Sequence, residues 1–336
     1  MKRFIQLRQA GLTLIELMIS VAIGLFILAI IGGIYISSLR SFSTTNAMTG
    51  MDENARAVFN IIGNSARHAG FNGCGRIPGI LQGDTRGGGV GNWWQNTNEP
   101  VRGVADGSTT SLAGAIAGTG ALMLVGVDPA QEASVISDDG ATIKTGSHNF
   151  ISGQALLATN CKLNSFFINT SGPGNVITHA ASANCSAQLA TNCARGGAWV
   201  ATPYVLSPGS LIMPVVANAY YIANSGTPGK GRSLWTCTTG ANCIELANGV
   251  ENMALWFGVD TTASGSINNW VQPGSVADWT QVVAVRMHLL LATQPDSGAP
   301  TTGSNQYTFN GATVTPADNR VYREYTTVFS VRNRNF

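Results

Sequence analysis

The sequence predicts an α+β protein in which a long N-terminal helix, crossing a membrane in its first half, packs on a β-rich head of antiparallel sheet. Three observations carry this expectation. Residues 12–36 form an almost uninterrupted apolar run, and apolar residues then recur every three or four positions as far as residue 69. After residue 74 that period gives way to short β-prone runs between Gly, Asn, Ser and Pro clusters. With 336 residues, 44% of them apolar and only 12 prolines, the chain can bury a core and is neither disordered nor collagen-like. Charged residues are scarce at 11% and glycines number 40, which suits a loop-rich protein outside the cytoplasm.

The apolar run Leu12–Ile36 is 25 residues long with a single charge, enough at 1.5 Å per residue to cross a bilayer. It is too long for the apolar part of a cleaved secretory signal. Lys2, Arg3 and Arg8 all precede it, so the positive-inside rule places residues 1–11 in the cytoplasm and the remainder, from about residue 37, outside. Nineteen basic against seventeen acidic residues give +2, and without those three basic residues the balance is −1. Bulk positive charge for nucleic-acid binding is therefore missing. Glu16 is the one charge inside the run. An ionised carboxylate in hydrocarbon costs several kcal/mol and persists where it has a partner or a task, unless it snorkels to the interface.

Beyond the membrane, Met48, Met51, Ala55, Val58, Phe59, Ile62, Ala66 and Ala69 keep one helix face apolar, and Gly70 and Gly73 are natural terminators. A single helix over Leu12–Ala69, roughly 85 Å long, is expected, its second half lying on the head. The expected strands are Ala121–Val127, Ser165–Asn169, Gly209–Val216, Ala219–Ala223, Met253–Val259, Gln281–Ala292 and Val321–Val331. In the sixth of these, Val283, Val285, Met287 and Leu289 alternate with Ala284, Arg286, His288 and Leu290, so one face is buried. Residues Gly83–Asn98 read as a loop. Their glycines lack the strand, helix and Gly-Lys-Ser/Thr that a phosphate site needs, and Trp93 and Trp94 read as tucked-in aromatics.

Six cysteines, Cys74, Cys161, Cys185, Cys193, Cys237 and Cys243, point to an oxidising compartment. Local pairing is preferred among the fifteen connectivities: Cys185 with Cys193, Cys237 with Cys243, and then Cys74 with Cys161. Metal binding is the rival reading, and scattered spacing argues against it. His68, His148, His179 and His288 stand far apart with no HExxH, and no G-x-S-x-G elbow occurs. No catalytic residue, metal ligand or cofactor site is expected.

Gly11-Leu12-Thr13-Leu14-Ile15-Glu16-Leu17-Met18 after a short basic leader resembles the class III signal of type IV prepilins, a motif shared by major pilins, minor pilins and secretion pseudopilins. The resemblance implies cutting between Gly11 and Leu12 by prepilin peptidase, N-methylation of Leu12, which stands where most of the family has Phe, and a pilin-like fold. It also gives Glu16 a role in assembly, pairing with the charged N-terminal amine of a neighbouring subunit. The implied organisation is a cleaved leader over 1–11, a helix over 12–70 that spans the membrane at 12–36, and a head over 71–336. Further along, Asn54–Phe59, Ser65–Cys74, Gly249–Met253, Phe257–Asp260, Val282–Arg286 and Val328–Arg334 are similar to PilW-type minor pilins.

That resemblance implies a non-catalytic filament subunit of the inner membrane and then of the pilus on the cell surface, priming assembly and forming part of a tip complex. Twitching motility, adhesion or DNA uptake would depend on it. The implied partners are other minor pilins, the major pilin, prepilin peptidase, the inner-membrane assembly platform and a tip adhesin. A J-type pseudopilin of type II secretion and a signal-anchored periplasmic enzyme are the alternatives. In some relatives the loop beginning at Asp260 carries several acidic residues suited to calcium, and here only Asp260 remains.

Overall fold

The computed structural model describes residues 13–74, 81–84, 99–184, 188–189, 204–238, 242–294, 306–318, 320–331 and 333. It opens with α1, Leu14–His68, a 55-residue helix about 80 Å long. Thr13 caps its start. At the other end Ala69 leaves the helical region and Gly70 takes φ 76°, a left-handed conformation that turns the chain so that its N–H donates to Val125 O at 2.9 Å.

Seventeen strands follow among the described residues. The first eight are β1 (Leu81–Asp84), β2 (Val101–Val104), β3 (Ala121–Val127), β4 (Ala133–Asp138), β5 (Thr142–His148), β6 (Ala155–Thr159), β7 (Leu163–Ile168) and β8 (Gly174–Thr178). Then come β9 (Leu211–Asn224), β10 (Arg232–Thr238), β11 (Asn242–Asn248), β12 (Val250–Val259), β13 (Asn269–Val271) and β14 (Val282–Ala292), and last β15 (Tyr307–Phe309), β16 (Ala312–Val314) and β17 (Tyr322–Ser330). Eleven of them form one large sheet and four form a second in the order β13-β12-β14-β17, with β15 and β16 a separate hairpin. Every pairing is antiparallel except that of β1 with β7.

The core under the helix shows why the second half of α1 has its sequence. Met51, Ala55, Val58, Ile62 and Ala66 pack with Met253, Leu255 and Phe257 of β12, with Val285, Met287, Leu289 and Leu291 of β14, and with Phe329 of β17. Leu122, Leu124, Tyr220, Ile222 and Leu234 of the large sheet close the same core. Each fully buried aliphatic side chain here contributes about 1.5–3 kcal/mol. Met48 departs from the expected stripe: it is 37% exposed, because the head begins only at Met51.

Strand Leu211–Asn224 was expected as two strands broken near residue 217, and it runs unbroken through Pro214. The missing donor is tolerated because Pro214 stands where β9 changes partners. Its first residues pair with β6 and β4, and from Val215 it pairs with β3, while Pro214 O accepts from Asp128 N at 3.0 Å. A second difference lies in β14, where Val282 rather than Val283 is in the core. Gly258 opposes Ala284 and Val259 opposes Val282, so a bulge carries Val283 out of the alternation. Strands β1, β2, β4, β5, β6, β8, β10, β11, β13, β15 and β16 were not foreseen. In β6 all five residues are buried, so the period-two signal is missing, and β5 carries Gly146 in a polar run. The first two residues of the expected loop, Gly83 and Asp84, end β1, whereas 85–98, with Trp93 and Trp94, lie outside the described residues.

The end of α1 and the large sheet meet backbone to backbone. At Gly126 of β3 any Cβ would overlap the His68 carbonyl, so a side chain there must push the helix end away. Gly126→Val should destabilise the head by about 3 kcal/mol in urea unfolding. A midpoint equal to wild type would mean that this approach is not close in solution.

Candidate functional site

At the start of α1, Thr13 and Glu16 satisfy each other. The Thr13 hydroxyl accepts from Glu16 N at 3.4 Å, while a Glu16 carboxylate oxygen accepts from Thr13 N and from the Thr13 hydroxyl, both at 3.0 Å. This is a capping box, and its Thr-x-x-Glu spacing was readable in the sequence though Thr13 was not singled out. Gly11 and Leu12 lie outside the described residues. Ser20 returns its hydroxyl to Glu16 O at 2.7 Å, so the membrane half offers no other free hydroxyl near the carboxylate among its described neighbours.

From Leu14 to Phe42 the helix stands clear of the head. Leu14, Phe26, Leu28 and Phe42 are all at least 66% exposed, and no residue of the most apolar window is buried within the chain. An exposed apolar surface of this extent needs lipid tails or other apolar helices around it. The helix is long and apolar enough to cross a membrane.

The other half of α1 is tied to the head by side chains far apart in sequence, which no local pattern announces. Asp52 accepts from Tyr325 and from Arg323 Nη1 at 3.2 Å. Burial pushes the Tyr325 hydroxyl up to about 12, so it stays a neutral donor to that carboxylate. Ser65 and Tyr220 share a 2.7 Å hydrogen bond, Asn333 Nδ2 donates to Arg67 O at 2.8 Å, and Phe59 meets Phe329 edge-on. Gly63 is small enough for the Phe329 ring to sit over it, where a Cβ would be 3.1 Å from a ring carbon. Disulfides join Cys74 to Cys161 and Cys237 to Cys243, the first linking the chain just past α1 to the β6–β7 turn and the second bridging directly opposed residues of β10 and β11. Cys185 and Cys193 lie outside the described residues.

The four histidines are not brought together. His68 ends α1, His148 is stacked on Phe150, His179 is buried against Phe167, and His288 bonds Glu324 at 2.5 Å. Burial holds both His148 and His179 below the usual histidine range. Among the described residues no group of three or more His, Cys, Asp or Glu is placed to hold a metal ion. At the loop after β12, Asp260 is 1% exposed and its carboxylate is taken up by the loop itself: it accepts from Thr262 N at 3.1 Å, Ser264 N at 3.2 Å and Gly265 N at 2.5 Å. Desolvation raises its affinity for a proton, but these hydrogen bonds together outweigh it and hold the carboxyl below its ordinary value. Asp260 organises its own loop, with Ala263 and Gly265 in left-handed conformations, in place of a set of outward-facing oxygens.

Two family models match the chain. Residues 219–333 match the one described as Type IV Pilus-assembly protein W, and residues 6–32 match the one described as Prokaryotic N-terminal methylation motif. No curated protein and no solved structure matches. The first match begins within β9 and takes in the whole four-stranded sheet, whereas the lobe built from β4 to β8 falls outside both.

Proposed function

We propose that this chain, a PilW-like type IV pilin, works as a structural minor pilin that primes filament assembly and forms part of the tip complex. The observation that carries the reading is the division of α1. Its exposed apolar half has Glu16 near the start, and its other half is pinned to family-matched residues of both sheets, by Asp52 and Gly63 to β17 and by Ser65 to Tyr220 of β9. A head fastened to its helix in this way follows the helix wherever other helices take it. Residues 1–11 would face the cytoplasm and be removed between Gly11 and Leu12 by prepilin peptidase, which also methylates Leu12. The new amine lies four residues before Glu16, one helical turn, and a neighbour's amine would neutralise that carboxylate inside the bundle.

Other minor pilins, the major pilin, the inner-membrane platform and a tip adhesin are the partners this role requires, with motility, adhesion or DNA uptake as its outputs. The match to a pilus-assembly family supports this role over that of a secretion pseudopilin. In piliated cells the chain should be recovered with pili sheared from the surface, and its deletion should reduce the number of surface pili. A chain confined to the membrane fraction of piliated cells would contradict the role.

A further inference from the structure

Among the described residues strand β17 ends the four-stranded sheet and pairs only with β14. Val331 N donates to Val283 O at 2.8 Å and Thr293 N to Val321 O at 3.0 Å, which fixes the phase of the ladder. The odd-numbered residues of β17 face β14 with their backbone groups, and Tyr322, Glu324, Thr326, Val328 and Ser330 direct theirs outward. Among the described residues none of these five outward N–H and C=O pairs has a hydrogen-bonding partner.

Within the strand itself the proline, glycine and bulge that would block such an edge are missing, and among the described residues the β15–β16 hairpin meets β17 at its Tyr322 end, where Tyr307 stacks on Tyr322 and Asn310 N donates to a Glu324 carboxylate oxygen. The strand reads Tyr-Arg-Glu-Tyr-Thr-Thr-Val-Phe-Ser, nine residues with neither proline nor glycine, and its register with β14 runs from Tyr322 to Ser330 without a bulge. At the opposite end of the sheet, by contrast, β13 is three residues long. On one side of the edge the α1 ring of Phe59 meets Phe329, and on the other Val328 is 51% exposed. The charged residues sit at the Tyr322 end, where Arg323 is engaged by Asp52 and Glu324 by His288.

We propose that β17 is a docking edge that takes an extended strand of about five residues from the head of a different pilin subunit. The strand would add main-chain hydrogen bonds to the sheet and place apolar or β-branched side chains alternately beside Phe59–Phe329 and beside Val328. The occupant follows from continuity: β17 is fastened along the head-bound half of α1, through Asp52–Arg323 and Gly63–Phe329, and that half continues, from the Asp52 end, into the exposed helix surface assigned above to assembly. Subunits bundled through α1 bring their heads side by side along this edge. The inference rests on that reading of α1, and its test separates the two.

A photo-crosslinking amino acid at Val328, in full-length chain expressed in piliated cells, should join the chain to a head segment of another subunit that carries a prepilin-type N-terminus, identified by peptide mass spectrometry. The same probe at Ile151, which is 60% exposed but in the lobe outside the family matches, should not. Ser330→Pro removes one outward N–H and no bond to β14, and Val328→Lys keeps every backbone bond. Each should lower the Val328-edge cross-link (read from Ser330 for the second variant) at least tenfold while the urea midpoint of the head stays at the wild-type value. If chain recovered from sheared pili shows no cross-link at Val328, or one to a second copy of itself, or one that both variants leave intact, the docking edge is wrong and the pilin role stands. If the chain never enters pili, both fall.

Discussion

Glu16→Gln leaves the head folded and the chain in the membrane, and removes it from sheared pili by about a hundredfold. The glutamine keeps an oxygen that accepts from Thr13 N, so the capping box that starts α1 survives in large part. What it loses is charge. Inside a bundle of apolar helices an amine left without its carboxylate costs about 3 kcal/mol or more, which is the hundredfold. Residence of the single chain in the bilayer becomes easier, since a carboxylate in hydrocarbon is itself unfavourable. Thr13→Ala makes the complementary change, deleting the cap at a cost of about 1 kcal/mol while sparing the charge, and should enter pili at near wild-type levels. Immunoblots of sheared pili and membranes separate these outcomes. Glu16→Gln chain in pili at the wild-type level would mean that the carboxylate serves α1 alone.

The largest stability loss is expected from the double substitution Cys74→Ser, Cys161→Ser. These residues are 87 apart, and closing a loop of that length in the unfolded chain is worth about 4 to 5 kcal/mol by the entropic argument. The bond also fastens the turn after α1 to the lobe of β4–β8, whose other covalent link to the helix is the long way round the chain. Cys237 and Cys243 are six apart and already held by the β10–β11 ladder, so removing that bond should cost only about 2 kcal/mol. Urea unfolding of the periplasmically produced protein, each variant against wild type, measures both. Equal losses, or none for the longer loop, would show that the turn after α1 is held by packing alone.

The parts of this fold that were legible in the sequence are those with a simple period. Helix α1 announced itself through Met51, Ala55, Val58, Ile62 and Ala66, and β3 appeared with the bounds Ala121–Val127, because each carries an unbroken pattern between glycine-rich ends. Strands such as β6, buried on both faces, and β10 and β11, rich in polar residues, carry no such pattern and are defined only by their neighbours in the sheet. Ala217 and Asn218 were read as a gap between two strands, whereas β9 runs through them, paired there with β3 and β10. At the candidate site, Glu16 stood out as a charge in an apolar run, but its partner Thr13 did not. The ties of Asp52 to Arg323 and Tyr325 join residues more than 270 positions apart, and no single sequence places such residues side by side.

The central claim is that this chain is processed and assembled as a pilin, and the most direct measurement is the N-terminus of protein extracted from membranes of cells with active prepilin peptidase. Mass spectrometry should find a first peptide beginning at N-methyl-Leu12. A mature protein whose N-terminal peptide still contains Lys2 and Arg3 would contradict it.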